Sequence, residues 1–109
     1  MKKEQRLTSK SQFTTVYSQG KSWANDLLVM KAFPNGLELG RFGFSVSKRV
    51  GKAVVRNRVK RLLRECVQLI PYKPGWDIVF IARGNIATAN YHQLKEAMGE
   101  LAQRAHLVK

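Results

Sequence analysis

Along the chain the apolar positions change period several times, and each change marks an element. Ser9-Lys10-Ser11-Gln12 sets a hydroxyl three residues ahead of a glutamine, the signature of a reciprocal N-terminal cap. Phe13, Val16 and Tyr17 then share one helical face, and Gly20 supplies a stop, so a helix is predicted from about Lys10 to Gln19. Lys21–Ala24 reads as a short strand. DLLVMKAF (26–33) reads as a strand apolar on both faces, followed by a turn at Pro34-Asn35-Gly36. In RFGFSVS (41–47), Phe42, Phe44 and Val46 take one face, and Gly43, Ser45 and Ser47 the other. The first is a core face. The second is small and polar and lets another group approach the sheet closely.

Helical spacing returns after Gly51, from about Val54 to Ile70, and Pro71 ends it. Pro74-Gly75 turns the chain into WDIVFIAR (76–83), an apolar run typical of a central strand. Asn90 and Gln93 mark another helix start, after which Leu94, Ala97, Met98, Leu101, Ala102 and Ala105 recur at helical spacing. The order α-β-β-β-α-β-α predicts an α/β (α+β) two-layer sandwich with a mixed four-stranded sheet, one domain over residues 1–109. At 109 residues and 44% hydrophobic, the chain can bury a single core.

Charge changes this picture. Twenty Lys and Arg against seven Asp and Glu give +13, an excess that implies a polyanionic partner, either nucleic acid or an anionic membrane. Much of it lies in GKAVVRNRVKRLLREC (51–66), where Glu65 is the only acid. On a wheel of about 100° per residue, Val55, Val59, Leu62, Leu63, Cys66 and Ile70 occupy one side. Arg56, Lys60 and Arg64 form a row along its margin, Asn57 and Arg61 the next row outward, and Arg58 the far shoulder. Lys48, Arg49 and Lys52 extend the patch into the preceding loop. The apolar side must cover the sheet, so the cations face outward. A membrane-surface helix keeps its apolar face for lipid, so RNA or DNA is favoured. Arginine forks suit phosphate oxygens and can stack on bases, and Asn57 can hydrogen-bond to sugar or base edges.

Catalytic patterns are lacking. Gly51-Lys52 is followed by Ala53 where a phosphate loop needs Ser or Thr. Glu4, Asp26, Glu38, Glu65, Asp77, Glu96 and Glu100 are scattered, which deprives a two-metal nuclease of its carboxylates. His92 and His106 read as solvated or capping residues. Cys66, the single cysteine, falls in the apolar row as a small hydrophobe, and a chain with no internal disulfide suits the reducing cytoplasm. No apolar stretch is long enough to span a bilayer, and MKKEQRLTSK lacks the apolar segment of a secretory signal. Phe13 and Tyr17 allow two readings: core residues of their helix, or a platform stacking unpaired bases against the Gly43/Ser45/Ser47 face.

The run SVSKRVGKAVVRNRVKRLLRE (45–65) resembles the signature of the bacterial ribonuclease P protein component: Ser-Lys-Lys/Arg, Gly-Lys/Asn-Ala-Val, Arg-Asn-Arg, then Lys-Arg and Arg. Arg6-Leu7, Phe13, Gly20, the Ile-Ala-Arg ending of the last strand and the element order extend the likeness over the chain. The resemblance implies a ribosomal-protein-S5-domain-2-like fold and an accessory subunit of an endoribonuclease. Its partners would be a large catalytic RNA and precursor tRNA, with no obligate protein partner and no membrane. The RNA and its Mg²⁺ ions would hydrolyse the phosphodiester and release the 5′ leader, with no catalytic or metal-binding residue in the protein. Lys48, Arg49, Lys52, Arg56, Asn57, Arg58, Lys60, Arg61 and Arg64 would contact the catalytic RNA. Phe13, Tyr17 and Ser45 would line the leader cleft. The chain departs from the family at Lys31, where relatives often carry an aromatic. A ribosomal-type RNA-binding protein would suit the charge and size equally but not the Arg-Asn-Arg motif, and a free-standing nuclease would need clustered acids.

Overall fold

The computed structural model describes residues 1–109. Helix α1 (Lys10–Gln19) starts at the expected cap: Gln12 N–H donates to Ser9 Oγ at 3.2 Å, and Ser9 N–H donates to Gln12 Oε1 at 3.1 Å. Strands β1 (Lys21–Ala24) and β2 (Leu28–Pro34) form an antiparallel pair. The second begins two residues later than its apolar pattern suggested. Asn25 Oδ1 accepts from Leu27 N–H at 3.2 Å and Leu28 N–H at 3.0 Å, so Asp26 and Leu27 belong to a side-chain-built turn. Strand β3 (Arg41–Ser45) also ends early; Val46 leaves the sheet to join the core with Val50.

Helix α2 (Ala53–Val67) stops three residues before the expected end at Ile70. Leu69 N–H reaches Cys66 O and Ile70 N–H reaches Val67 O, so the last turn has tightened to i→i+3 bonds. Pro71 explains it: the proline ring disfavours helical geometry at the residue before it. Strand β4 (Trp76–Ala82) follows, then helix α3 (Tyr91–Arg104), capped reciprocally by Asn90 and Gln93 at 2.9 Å each. Single 3-10 turns at Lys3–Gln5, Lys48–Val50 and Gly84–Thr88 were not legible in the sequence.

The sheet order is β1-β2-β4-β3, with β4 antiparallel to β2 and parallel to β3, so the mixed four-stranded sheet is as expected. β4 is central and β3 an edge. The β3 edge is partly covered by the N-terminal segment, where Leu7 N–H donates to Phe42 O at 2.9 Å. Alternation divides the sheet. Leu28, Met30, Ala32, Phe42, Ile78, Phe80 and Ala82 face α2 and α3 and form the main core. The other face carries a smaller cluster of Leu7, Val16 and Val79 under α1. The helical layer of the sandwich is thus α2 with α3, and α1 lies alone across the opposite face.

At the end of the α1 face, Arg41 holds the buried Asp77 through two bonds, Nε to Oδ1 at 2.8 Å and a terminal nitrogen to Oδ2 at 2.7 Å. Asn35 Nδ2 completes the shell at 3.0 Å. Bonding to Asp77 raises the Arg41 pKa against the opposing effect of burial.

Cys66 is fully buried, with Sγ 3.8 Å from Tyr91 O. Burial, with Glu65 adding to it, pushes the thiol pKa up, so the folded chain keeps it protonated and inert. Cys66→Ser should destabilise by about 1–3 kcal/mol, because the shorter C–O bond leaves its hydroxyl short of that carbonyl. Thermal unfolding checks this, and thiol labelling should be far slower in the folded chain than in urea. The raised thiol pKa also gives a sign: stability should fall as pH rises above ~8.5, where the unfolded thiol ionises and the folded one resists.

Candidate nucleic-acid interface

Helix α2 seats Val59, Leu63, Cys66 and Val67 in the core, with Val55 and Leu62 half-buried beside them. That seating fixes the rotation of the helix. Arg56, Lys60 and Arg64 emerge half-buried along one margin, and Asn57 and Arg61 are fully outside. Lys48, Arg49 and Lys52 are exposed ahead of the helix. Gly51 joins them to it at φ 153, and a Cβ there would lie 3.1 Å from the Val55 Cβ, so glycine is the residue that fits. No side chain caps the first turn of α2, so its free amides add positive potential to the patch.

None of these cations is neutralised. The three ion pairs of the chain are Arg41–Asp77, His92–Glu96 and Arg104–Glu100, all away from residues 48–64. Arg56 Nε is sealed from solvent with no acceptor in the chain. Arg58 is different. Its terminal nitrogens donate to Ala87 O at 3.4 Å and Ala89 O at 3.2 Å, clamping α2 to the segment that leads into α3. The wheel placed Arg58 on the shoulder away from the row; the partner it meets there could not be read from the sequence.

The α1 face forms a second feature. Register places Gly43, Val79, Lys31 and Ser22 in one cross-strand row, and Ser45, Ile81, Val29 and Ala24 in the next. Phe13 lies directly on Gly43: a Cβ there would be 2.6 Å from Phe13 Cζ. The ring packs with Leu7 and Val79, yet remains half-buried, and Tyr17 stands 38% exposed with its ring centroid 6.1 Å from that of Phe13. Phe13 belongs to the small core and to its edge, while Tyr17 stands outside it. The row beyond them, Ser45, Ile81 and Val29, is only half-buried. Lys31 Nζ donates to Tyr17 O at 3.3 Å, tying the sheet to the C-terminal turn of α1.

Nothing in the sequence singles out Ile81 and Val29, which flank each other and Ser45 in that row. The two surfaces meet around the β3 edge, where a cavity of about 180 Å³ is lined by Phe13, Gly43, Arg6, Lys60 and Arg64. Three acids, Asp26, Glu96 and Glu100, line a separate concavity beside α3, but no three His, Cys, Asp or Glu side chains converge to hold a metal. No helix is long and apolar enough to cross a membrane.

The model of the family described as Ribonuclease P matches residues 1–106. The chain belongs to the ribonuclease P protein family. The ribonuclease P protein component of Caldanaerobacter subterraneus subsp. tengcongensis is 49% identical over 104 residues, 94% of this chain and 90% of that one. That of Dehalococcoides mccartyi is 45% identical over 108 residues, 99% and 90% of the two chains. Among solved structures, the ribonuclease P protein of Staphylococcus aureus superposes with a TM-score of 0.87 at 29% identity, covering 96% of this chain and 98% of that one. The protein from Thermotoga maritima gives 0.81 at 31%, covering 91% and 96%. The chain is therefore a ribonuclease P subunit, a partner of the RNA subunit in tRNA processing, with the α+β fold of these relatives.

The two kinds of arginine in the ribonuclease P motif should separate experimentally. Arg58→Ala should lower the unfolding temperature through the loss of two carbonyl contacts, each about 0.5–1.5 kcal/mol or more when charge-assisted. Arg61→Ala, on the open face, should leave the melting transition in place. Thermal unfolding of both variants checks the distinction.

Proposed function

We propose that the α2 face binds the catalytic RNA of ribonuclease P, and that the α1 cleft holds the single-stranded 5′ leader of precursor tRNA. The observation that carries this is the unpaired charge: eight cations between residues 48 and 64, no acid among them, and no ion pair to any of them. Lys48, Arg49, Lys52, Arg56, Lys60, Arg61 and Arg64 meet phosphate, Asn57 supplies hydrogen bonds beside them, and Arg58 acts by holding the helix in place. Binding releases condensed counterions, so affinity falls with salt by about 0.7–0.9 log unit per log unit for each phosphate neutralised.

In the cleft, Tyr17 and the free edge of Phe13 offer stacking surfaces above a floor of Ser45, Ile81 and Val29. Aromatic stacking is indifferent to base identity, which suits leaders of varied sequence. On this reading the Mg²⁺ ions that assist hydrolysis are held mainly by the RNA. The protein's contribution is to bind and orient: it holds the leader beside the RNA's own active site and so removes the 5′ leader with it.

The experiment compares holoenzyme affinity for precursor and mature tRNA. Tyr17→Ala should weaken precursor binding by the equivalent of about 1–3 kcal/mol, leave mature tRNA binding nearly unchanged, and fold normally. Phe13→Ala should show the same selectivity together with a lower unfolding temperature, because its ring also covers Leu7 and Val79. Equal losses for both tRNAs, with Tyr17→Ala still folded, would contradict the cleft.

A further inference from the structure

The largest concavity of the molecule, about 540 Å³, lies at the far end of the cationic row and has no role in the reading above. Its size is within the roughly 300–1,000 Å³ of small-ligand sites. Three lysines from three parts of the chain line it: Lys2, Lys73 and Lys109. None is in an ion pair. Two are held in place by backbone bonds, Lys73 N–H to Leu107 O at 2.7 Å and Lys109 N–H to Pro71 O at 2.9 Å. The floor is apolar and aromatic: half-buried Ile70 and Tyr72 over the buried Phe42, with the Phe42 and Tyr72 ring centroids 5.2 Å apart. Gln5 and Gln68 add amides at the wall, and Glu38 is the one acid.

The groove continues the basic row. Gln68 follows Arg56, Lys60 and Arg64 at the same i+4 spacing, and its Nε2 donates to Arg64 O at 3.0 Å. Met1 and Phe42 line both this groove and the cavity beside Lys60 and Arg64, so the two are contiguous. Cations at the rim, amides at the wall and flat apolar carbon at the floor are the chemistry of an unpaired nucleotide: phosphate outside, base inside.

We infer that this groove is a second subsite for the catalytic RNA, taking one or two unpaired nucleotides whose strand runs on from the α2 row. The inference rests on the proposed role of α2. Lys2, Lys73 and Lys109 hold the phosphates, and the Ile70/Tyr72 floor takes a base.

The test measures catalytic-RNA affinity against salt for three proteins: wild type, Lys2→Ala/Lys73→Ala/Lys109→Ala, and a charge-matched control, Lys10→Ala/Lys21→Ala/Lys95→Ala, whose lysines are exposed elsewhere. All three should melt alike. The groove variant should bind at least tenfold more weakly than the control near 0.1 M salt, with a salt slope shallower by one to two units. Equal affinity for the two triple variants, while Arg61→Ala still weakens binding, overturns the subsite and leaves the α2 reading standing. No loss for Arg61→Ala either would remove the α2 reading as well. A groove variant that binds catalytic RNA normally but loses precursor tRNA would assign the groove to substrate and overturn the inference.

Discussion

Helix α2 can bury its apolar stripe in only one orientation, and the rest of the molecule's chemistry follows from that constraint. Val59, Leu63, Cys66 and Val67 must face the sheet, each contributing up to about 1.5–3 kcal/mol on burial. Like charges at helical spacing oppose the helix by only a few tenths of a kcal/mol per pair. Burial therefore wins, and the helix holds its cations on the outside without any carboxylate to neutralise them. The charge density is carried by the core, and an anionic partner is what relieves it.

The second surface arises from a shortage of cover. β2 and β4 carry apolar residues on both faces, but only α1, ten residues long, lies across the face opposite α2 and α3. Gly43 lets the Phe13 ring sit directly on the sheet, which draws α1 over the Gly43/Val79 row and leaves the Ser45/Ile81/Val29 row half-open. A half-buried apolar strip beside the Phe13 and Tyr17 rings is the result. It lies on the other side of the sheet from α2's buried stripe, and the two surfaces come together only around the β3 edge, near Lys60 and Arg64.

Local features were the ones legible in the sequence. Capping pairs, alternation in β3 and the wheel of α2 depend on neighbours a few residues apart, and the structure keeps those patterns while ending β3 at Ser45 and α2 at Val67. Features that depend on distant partners were not legible. Arg58 meets the carbonyls of Ala87 and Ala89, about thirty residues on, and no periodicity announces that contact. Lys31 looks like a lost aromatic in the chain, yet its ammonium reaches the carbonyl of Tyr17. The end of α2 was misplaced because apolar spacing continues to Ile70 while Pro71 has already tightened the backbone.

The acids are as informative as the cations. Three of the seven have local partners: Asp77 is held by Arg41 and Asn35, Glu96 lies by His92, and Glu100 by Arg104. The proposed division of labour leaves the hydrolysis to the RNA. Precursor tRNA cleavage by the cognate catalytic RNA at low Mg²⁺, with and without the protein, is the most direct measurement. The RNA alone should be slow, the protein alone inactive after nuclease treatment removes carried-over RNA, and the two together should release the leader rapidly. Cleavage by the purified protein alone, or no gain on adding it to the RNA, would contradict it.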